Sequence, residues 1–125
     1  MTRGLIVLLL LALTACGGEA DSGEVGSSEG AELFSSSVLG GQAGCVTCHS
    51  LESDRVLVGP SLAGLGERAG GTVPGQSARD YIRTSIVAPQ AHVVEGFEGG
   101  RMPTNWGEVL DDGEIDALVD YLEGL

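Results

Sequence analysis

The residues that could do chemistry sit close together. Gly44–Ser50 reads GCVTCHS, with Cys45 and Cys48 three apart and His49 directly after the second thiol. Three chemistries use such a group. Two thiolates and an imidazole can contribute to a zinc site. A C-x-x-C pair can exchange thiol for disulfide. C-x-x-C-H can also carry a c-type haem, with the thiols bonded to the two porphyrin vinyl groups and the histidine held beneath the iron.

The rest of the chain separates the three. A structural zinc site wants four ligands, and the domain offers only Cys45, Cys48, His49 and His92. The ring of His49, adjacent to Cys48, is poorly aimed to share a tetrahedral metal with both thiolates. A thioredoxin-like dithiol needs a βαβ setting, and no such pattern surrounds the motif. The haem reading needs a second axial ligand. Met102, in RMPTNW, is the single methionine after Met1 and lies 53 residues beyond His49. A thioether in that position raises the potential of a haem iron; the plainer role of such a residue is to fill a gap in a core. His92 is the competing ligand and would give a bis-histidine site.

The elements that must position these residues read as short helices. The domain is expected to begin near Gly30. Ala31–Leu39 carries Leu33, Phe34 and Val38 on one side, and Gly40-Gly41 ends it. Ser61–Arg68 is a weak, glycine-interrupted helix. Ser77–Val87 is a better one, opened by the S-x-x-D pair Ser77 and Asp80 and stopped by Pro89. The last helix has Asp111 and Glu114 as caps, with Ile115, Leu118, Val119 and Leu122 at helical spacing. No segment alternates as a strand. Ser50–Pro60 and Ala88–Leu110 remain irregular, which is a great deal of loop for so small a domain. Five aromatic residues are few for a core, and small domains often need a staple. A large, flat, apolar cofactor wrapped by these loops accounts for both features.

The N-terminus reads as a targeting segment. Arg3 precedes the apolar run Gly4–Leu13, which has the length of a signal-peptide core. Leu13–Cys16, LTAC, resembles a bacterial lipobox, which implies cleavage before Cys16 and lipidation of its thiol. The expected organisation is residues 1–15 as signal, 16–29 as acylated cysteine and acidic Gly/Ser tether, and 30–125 as the domain. Thirteen tether residues, Gly17–Glu29, have a reach of about 20 Å. The chain carries 18 carboxylates against six arginines and no lysine, a formal net charge of −12. That excludes a nucleic-acid-binding surface and electrostatic adhesion to anionic lipid. Attachment to a membrane would run through the lipid on Cys16, giving an extracytoplasmic location on the periplasmic or outer-surface side.

Beyond CVTCH, the domain resembles a small class I cytochrome c. Gly30 and Phe34 match a glycine and aromatic that, in that family, cross the last helix at an aliphatic and aromatic three apart, here Leu118 and Tyr121. GPSL, Gly59–Leu62, is similar to the family's G-P-x-L, in which the proline carbonyl accepts a bond from the proximal histidine; that role would fall to Pro60 and His49. The resemblance implies an all-α fold of about four short helices around one covalent haem c, the first and last helices crossing. It implies thioether bonds at Cys45 and Cys48 and axial ligation by His49 and Met102. The stretch from Tyr81 to Leu125, with its VVEGF and MP motifs, is similar to the cytochrome c domain of bacterial haem–copper oxidase subunit II. No copper domain or transmembrane hairpin precedes that stretch in the sequence, so the chain is not expected to be that subunit.

The expected function is an electron carrier rather than an enzyme. It would take single electrons from a quinol-oxidising complex or a dehydrogenase and deliver them to a terminal oxidase or reductase. Two alternatives stand beside this reading. One is a haem subunit of a multi-subunit dehydrogenase or reductase. The other is a haem peroxidase or gas sensor, which Met102 opposes. Trp106 and Tyr81 are candidates for packing on the haem. Arg55, Arg68, Arg79, Arg83 and Arg101 include the cations available to its propionates.

Overall fold

A computed structural model describes residues 22–125. Its elements in chain order are α1 (Ser22–Ser35), β1 (Val38–Leu39), β2 (Gln42–Ala43), α2 (Cys45–Cys48), α3 (Leu65–Ala69), α4 (Ala78–Val87), α5 (Trp106–Val109) and α6 (Asp112–Glu123). The architecture is the expected all-α one, with six helices among the described residues rather than about four. Two of them, α2 and α5, are single turns.

The fold is organised by α1 crossing α6. Gly30 lies where the two meet. A Cβ there would collide with the carbonyl oxygen of Ala117 and come within 2.6 Å of Tyr121 Cβ, so only glycine allows the approach. One turn later Phe34 fills the crossing. It is buried, and its ring stands 5.8 Å from that of Tyr121 at 48°. The α6 residues Ile115, Leu118, Val119 and Leu122 are all buried, as their spacing predicts. Asp111 accepts from the Glu114 amide and Glu114 reaches back to the Asp111 amide, each at 2.9 Å, which closes a full capping box. In α4, Ser77 accepts from the Asp80 amide at 3.1 Å, and Tyr81, Ile82 and Ile86 face the core.

Three local expectations change. α1 begins at Ser22, inside the stretch read as tether, and stops at Ser35 rather than Leu39. The hydroxyls of Ser35 and Ser36 both donate to the Glu32 carbonyl, at 3.1 and 3.0 Å, closing the last turn on itself. The next residues form a minimal antiparallel hairpin, Val38 opposite Ala43 and Leu39 opposite Gln42. Gly40 and Gly41 make its turn at φ 57° and 79°, a conformation open to glycine at low cost. Val38 therefore lies on an exposed strand, not on the buried side of a helix. The weak third helix starts at Leu65, four residues later than its pattern suggests, after Gly64 turns with φ 62°.

Between α4 and α6 runs a ladder of ion pairs. Arg79 meets Asp120, and also Asp116 and Glu123, each at 3.5 Å; Arg83 meets Asp116 at 2.5 Å and Asp112 at 2.9 Å. The Asp120 hydrogen bond is the main reason that the Arg79 pKa is raised. These pairs are partly exposed, so each adds little on its own, but together they fix α4 against the α6 surface.

Candidate haem site

The site is a cavity of about 1340 Å³ bounded by α2, the 50s loop, α4 and the 89–103 loop. It is larger than the roughly 300–1,000 Å³ of an ordinary small-molecule pocket. Cys45, Cys48, His49, Pro60, Tyr81, Met102 and Trp106 all line it. The structure thus brings together every proposed site residue except Cys16, which lies outside the described residues.

Each is placed by a local device. Gly44, closely packed under the Ser36 carbonyl, starts the single turn α2, and the His49 amide closes it on the Cys45 carbonyl at 2.9 Å. That turn puts both thiols on the cavity wall. Burial, and secondarily the neighbouring Cys48, raises the Cys45 pKa. His49 then enters an extended backbone, and its ring meets the chain again eleven residues on. Its Nδ1 is 2.8 Å from the Pro60 carbonyl oxygen. A carbonyl can only accept, so Nδ1 carries the proton and the neutral ring keeps its lone pair on Nε2. Burial lowers the His49 pKa, against a smaller upward pull from the Pro60 bond, so the ring is held in the neutral form.

The loop that supplies Pro60 is tied at several points. The Gly59 amide donates to the Cys48 carbonyl and the Leu62 amide to the Ser50 carbonyl, both at 2.8 Å. The Ser61 hydroxyl donates to the Glu52 carbonyl at 2.7 Å. Gly59 lies against the imidazole so closely that a Cβ would come 2.5 Å from His49 Cε1. Sequence reasoning passed over Gly59 as a contact of the ring; its signal was the glycine preceding Pro60. Across the cavity, Met102 is half-buried against the core, while Trp106 and Tyr81 are buried members of it. His92 is exposed, with its ring edge-on to Tyr81 at 5.7 Å.

The donor set fits a covalent porphyrin better than a bare metal. Among the described residues, no three His, Cys, Asp or Glu side chains converge on one point. The wall is also apolar where a flat ring system would lie. Val56, Leu57, Val58 and Val94 are exposed large apolar residues, and all four line the cavity. A porphyrin in place would cover side chains that are otherwise left to water.

Comparison with known proteins agrees with this geometry. The family model for cytochrome c matches residues 27–125. The chain belongs to the cytochrome c family. It is 28% identical over 87 residues to cytochrome c2 iso-2 of Magnetospirillum molischianum, an alignment covering 65% of this chain and 90% of that protein. No solved structure matches the chain. Family membership makes this an electron-transfer protein carrying covalent haem c, and Cys45 and Cys48 fit the attachment motif.

Proposed function

We propose that the protein is a lipid-anchored, extracytoplasmic electron carrier of a respiratory chain, its haem iron held between His49 and Met102. The observation that carries this reading is the 2.8 Å bond from His49 Nδ1 to the Pro60 carbonyl, which leaves Nε2 as the ligand atom. The bond also makes the imidazole a stronger donor. Met102 is the thioether on the cavity wall, and a ligand of that type raises the potential. The haem, once bound, supplies the one-electron redox couple; the chain supplies ligands, burial and orientation. With His49 and Met102 both holding the iron, no position would be left open for peroxide or a gas, which would favour electron transfer over peroxidase or gas-sensing chemistry.

Anchoring rests on the lipobox-like LTAC and Cys16. Among the described residues, no helix is long and apolar enough to cross a membrane. Five residues separate Cys16 from the start of α1. Even fully extended they reach only about 18 Å, so the haem domain would ride near the membrane surface. The donor would be a quinol-oxidising complex or a dehydrogenase, and the acceptor a terminal oxidase. The similarity of the Tyr81–Leu125 stretch to an oxidase-linked haem domain favours the latter. With 18 carboxylates on the chain, the partner would present a basic face and transfer would slow as salt rises.

The test is a redox-difference spectrum of protein made with a haem-c maturation system. The expected result is a c-type spectrum with the sulfur–iron charge-transfer band. In Met102→Ala that band disappears and the ferrous iron binds carbon monoxide. A wild-type protein that lacks the band, or binds carbon monoxide rapidly at neutral pH, overturns the ligand assignment. Globomycin-sensitive processing and labelling by radioactive palmitate test the anchor; a mature form without lipid removes it.

A further inference from the structure

The chain contains two histidines, and the haem site as described uses one of them. His49 is fixed by the Pro60 carbonyl. His92 lies on the 89–103 loop and lines the same cavity as Met102. Its ring stands edge-on to that of Tyr81, the centroids 5.7 Å apart and the planes at 67°. Tyr81 belongs to α4 and is buried in the core, so this contact puts the imidazole against the cavity wall. Among the described residues the His92 side chain makes no hydrogen bond and no ion pair. The chain has no lysine, and the nitrogens of arginine and tryptophan have no lone pair to offer a metal. His92 is therefore the one nitrogen ligand left uncommitted among the described residues.

The loop that carries both His92 and Met102 is free to shift. Its hydrogen bonds from Pro89 to Thr104 are short-range. The Ala91 amide donates to the Ala88 carbonyl at 2.8 Å, the Phe97 amide to the Val94 carbonyl at 3.0 Å, and the Gly96 amide to the Glu98 carboxylate at 2.9 Å. Among the described residues none reaches past Ala88, the C-cap of α4. Gly96 and Gly100 take φ 90° and 59°, and a Cβ on Gly96 or Gly99 would meet nothing within 4 Å. The segment between His92 and Met102 thus has few contacts to break when it moves. The two side chains also differ as ligands. A thioether is soft and ferric iron is a hard ion, whereas imidazole suits iron.

We propose that His92 is a reserve axial ligand: when the Met102 thioether leaves the ferric iron, the His92 imidazole takes its place. The proposal rests on the haem c reading. The exchange breaks one Fe–S bond and forms one Fe–N bond, with the imidazole lone pair as the donor and no electron transferred. It replaces a ligand that raises the potential with one that does not. The oxidised carrier would then leave the high-potential couple with its iron still closed to peroxide and gases.

The experiment is electron paramagnetic resonance of the ferric holoprotein in native buffer, comparing Met102→Ala with Met102→Ala/His92→Gln. Met102→Ala is low-spin with a bis-imidazole signature. The double variant is high-spin, and added imidazole restores its low-spin signal, which separates a lost ligand from a lost fold. Azide binds ferric Met102→Ala about tenfold more weakly than the double variant, because His92 leaves the position open for only about one-tenth of the time. His92→Gln alone keeps the sulfur–iron band and the potential of wild type. A high-spin Met102→Ala overturns the proposal, as does equal azide affinity in the two variants or a double variant that imidazole fails to restore. A low-spin signal that survives in the double variant overturns it too, and so does one that disappears on dilution, which would trace the ligand to a second copy of the chain. Wild-type protein without a c-type spectrum would instead overturn the haem reading beneath it.

Discussion

The imidazole of His49 is gripped from two sides by one short loop: the Pro60 carbonyl accepts from Nδ1 at 2.8 Å, and Gly59 leaves no room for a side chain beside Cε1. Because the Gly59 amide is itself bonded to the Cys48 carbonyl, the loop cannot retreat without breaking that tie. Ring orientation is thus set by backbone, independently of any metal.

Gly59→Ala tests this grip. The added methyl group would stand 2.5 Å from Cε1, forcing the ring to rotate or the loop to lift. Overpacking of this kind costs about 1–3 kcal/mol. Denaturant unfolding of the holoprotein should show that loss, and a displaced His49 ring would be read as a weakened sulfur–iron band. A variant with wild-type stability and spectrum would show that the glycine is incidental.

The buried imidazole also gives stability a direction with pH. Its folded-state pKa is lowered, chiefly by burial, from an ordinary value of about 6.5. Between the two values the unfolded chain binds more protons than the folded one, so stability rises with pH through that window. It is complete above about pH 6.5 and is lost as pH falls towards the folded value. Ligation to iron, which also needs the neutral ring, works in the same sense. Denaturation midpoints measured from about pH 8 to pH 5 should therefore decline on the acid side. A midpoint that held steady or rose on acidification would contradict a neutral, buried His49.

How far the sequence revealed the fold depended on how local each signal was. The α6 cap is Asp111 and Glu114, three apart, and the motif Cys45-Cys48-His49 is contiguous; both were legible because the interacting residues are neighbours. Gly30, Phe34 and Tyr121 were legible only through resemblance to a family, since nothing local pairs residues so far apart. The hairpin was missed because its strands are two residues each, too short to alternate, and its Gly-Gly turn looks the same as a helix stop. The start of α1 was missed because Ser22–Glu29 is rich in glycine and serine, weaker helix formers in isolation. The ion ladder was invisible for a plainer reason: Arg79 and Asp120 are 41 positions apart.

The helix crossing yields a sharper mutational contrast. Gly30→Ala drives a methyl group into the Ala117 carbonyl and against Tyr121. It should cost roughly 1–3 kcal/mol or more, because the obstacle is backbone and cannot swing aside. Phe34→Ala leaves a hole at the same crossing and should cost about 3–5 kcal/mol. Thermal or denaturant unfolding followed by the haem absorbance separates both from a surface control such as Glu108→Gln. A Gly30→Ala variant as stable as wild type would mean that α1 does not sit against α6 at this spacing.

The α4–α6 ladder should behave as a surface network. Arg79 is the hub of three carboxylates and Arg83 of two. Replacing either with Gln should lose about 0.5–1 kcal/mol at low salt, with the deficit shrinking towards zero near molar salt. The double variant should lose more than the sum of the singles, since both arginines contact Asp116 and each single change also relieves their mutual repulsion. Additive losses that persist at high salt would place the stabilisation in packing by the arginine stems instead.

Removing the haem asks the largest question of the structure. The cavity of about 1340 Å³ is lined by Phe34, Ile82, Trp106, Leu118 and Leu122, which are also core residues. Without the porphyrin, one face of that core has no partner, and Val56, Leu57, Val58 and Val94 stay in water. Cys45→Ser/Cys48→Ser, which cannot form the thioether bonds, is therefore expected to keep part of its helical circular dichroism. It should lose its cooperative thermal transition and bind a hydrophobic dye such as ANS. The capping box of α6 should survive better than the long 88–105 loop, because it depends on residues three apart while the loop depends on what it encloses. Amide exchange would read this directly, with slow exchange retained in α6 and lost around Met102. A sharp, wild-type-like unfolding transition in the double variant would show that the side chains alone complete the core.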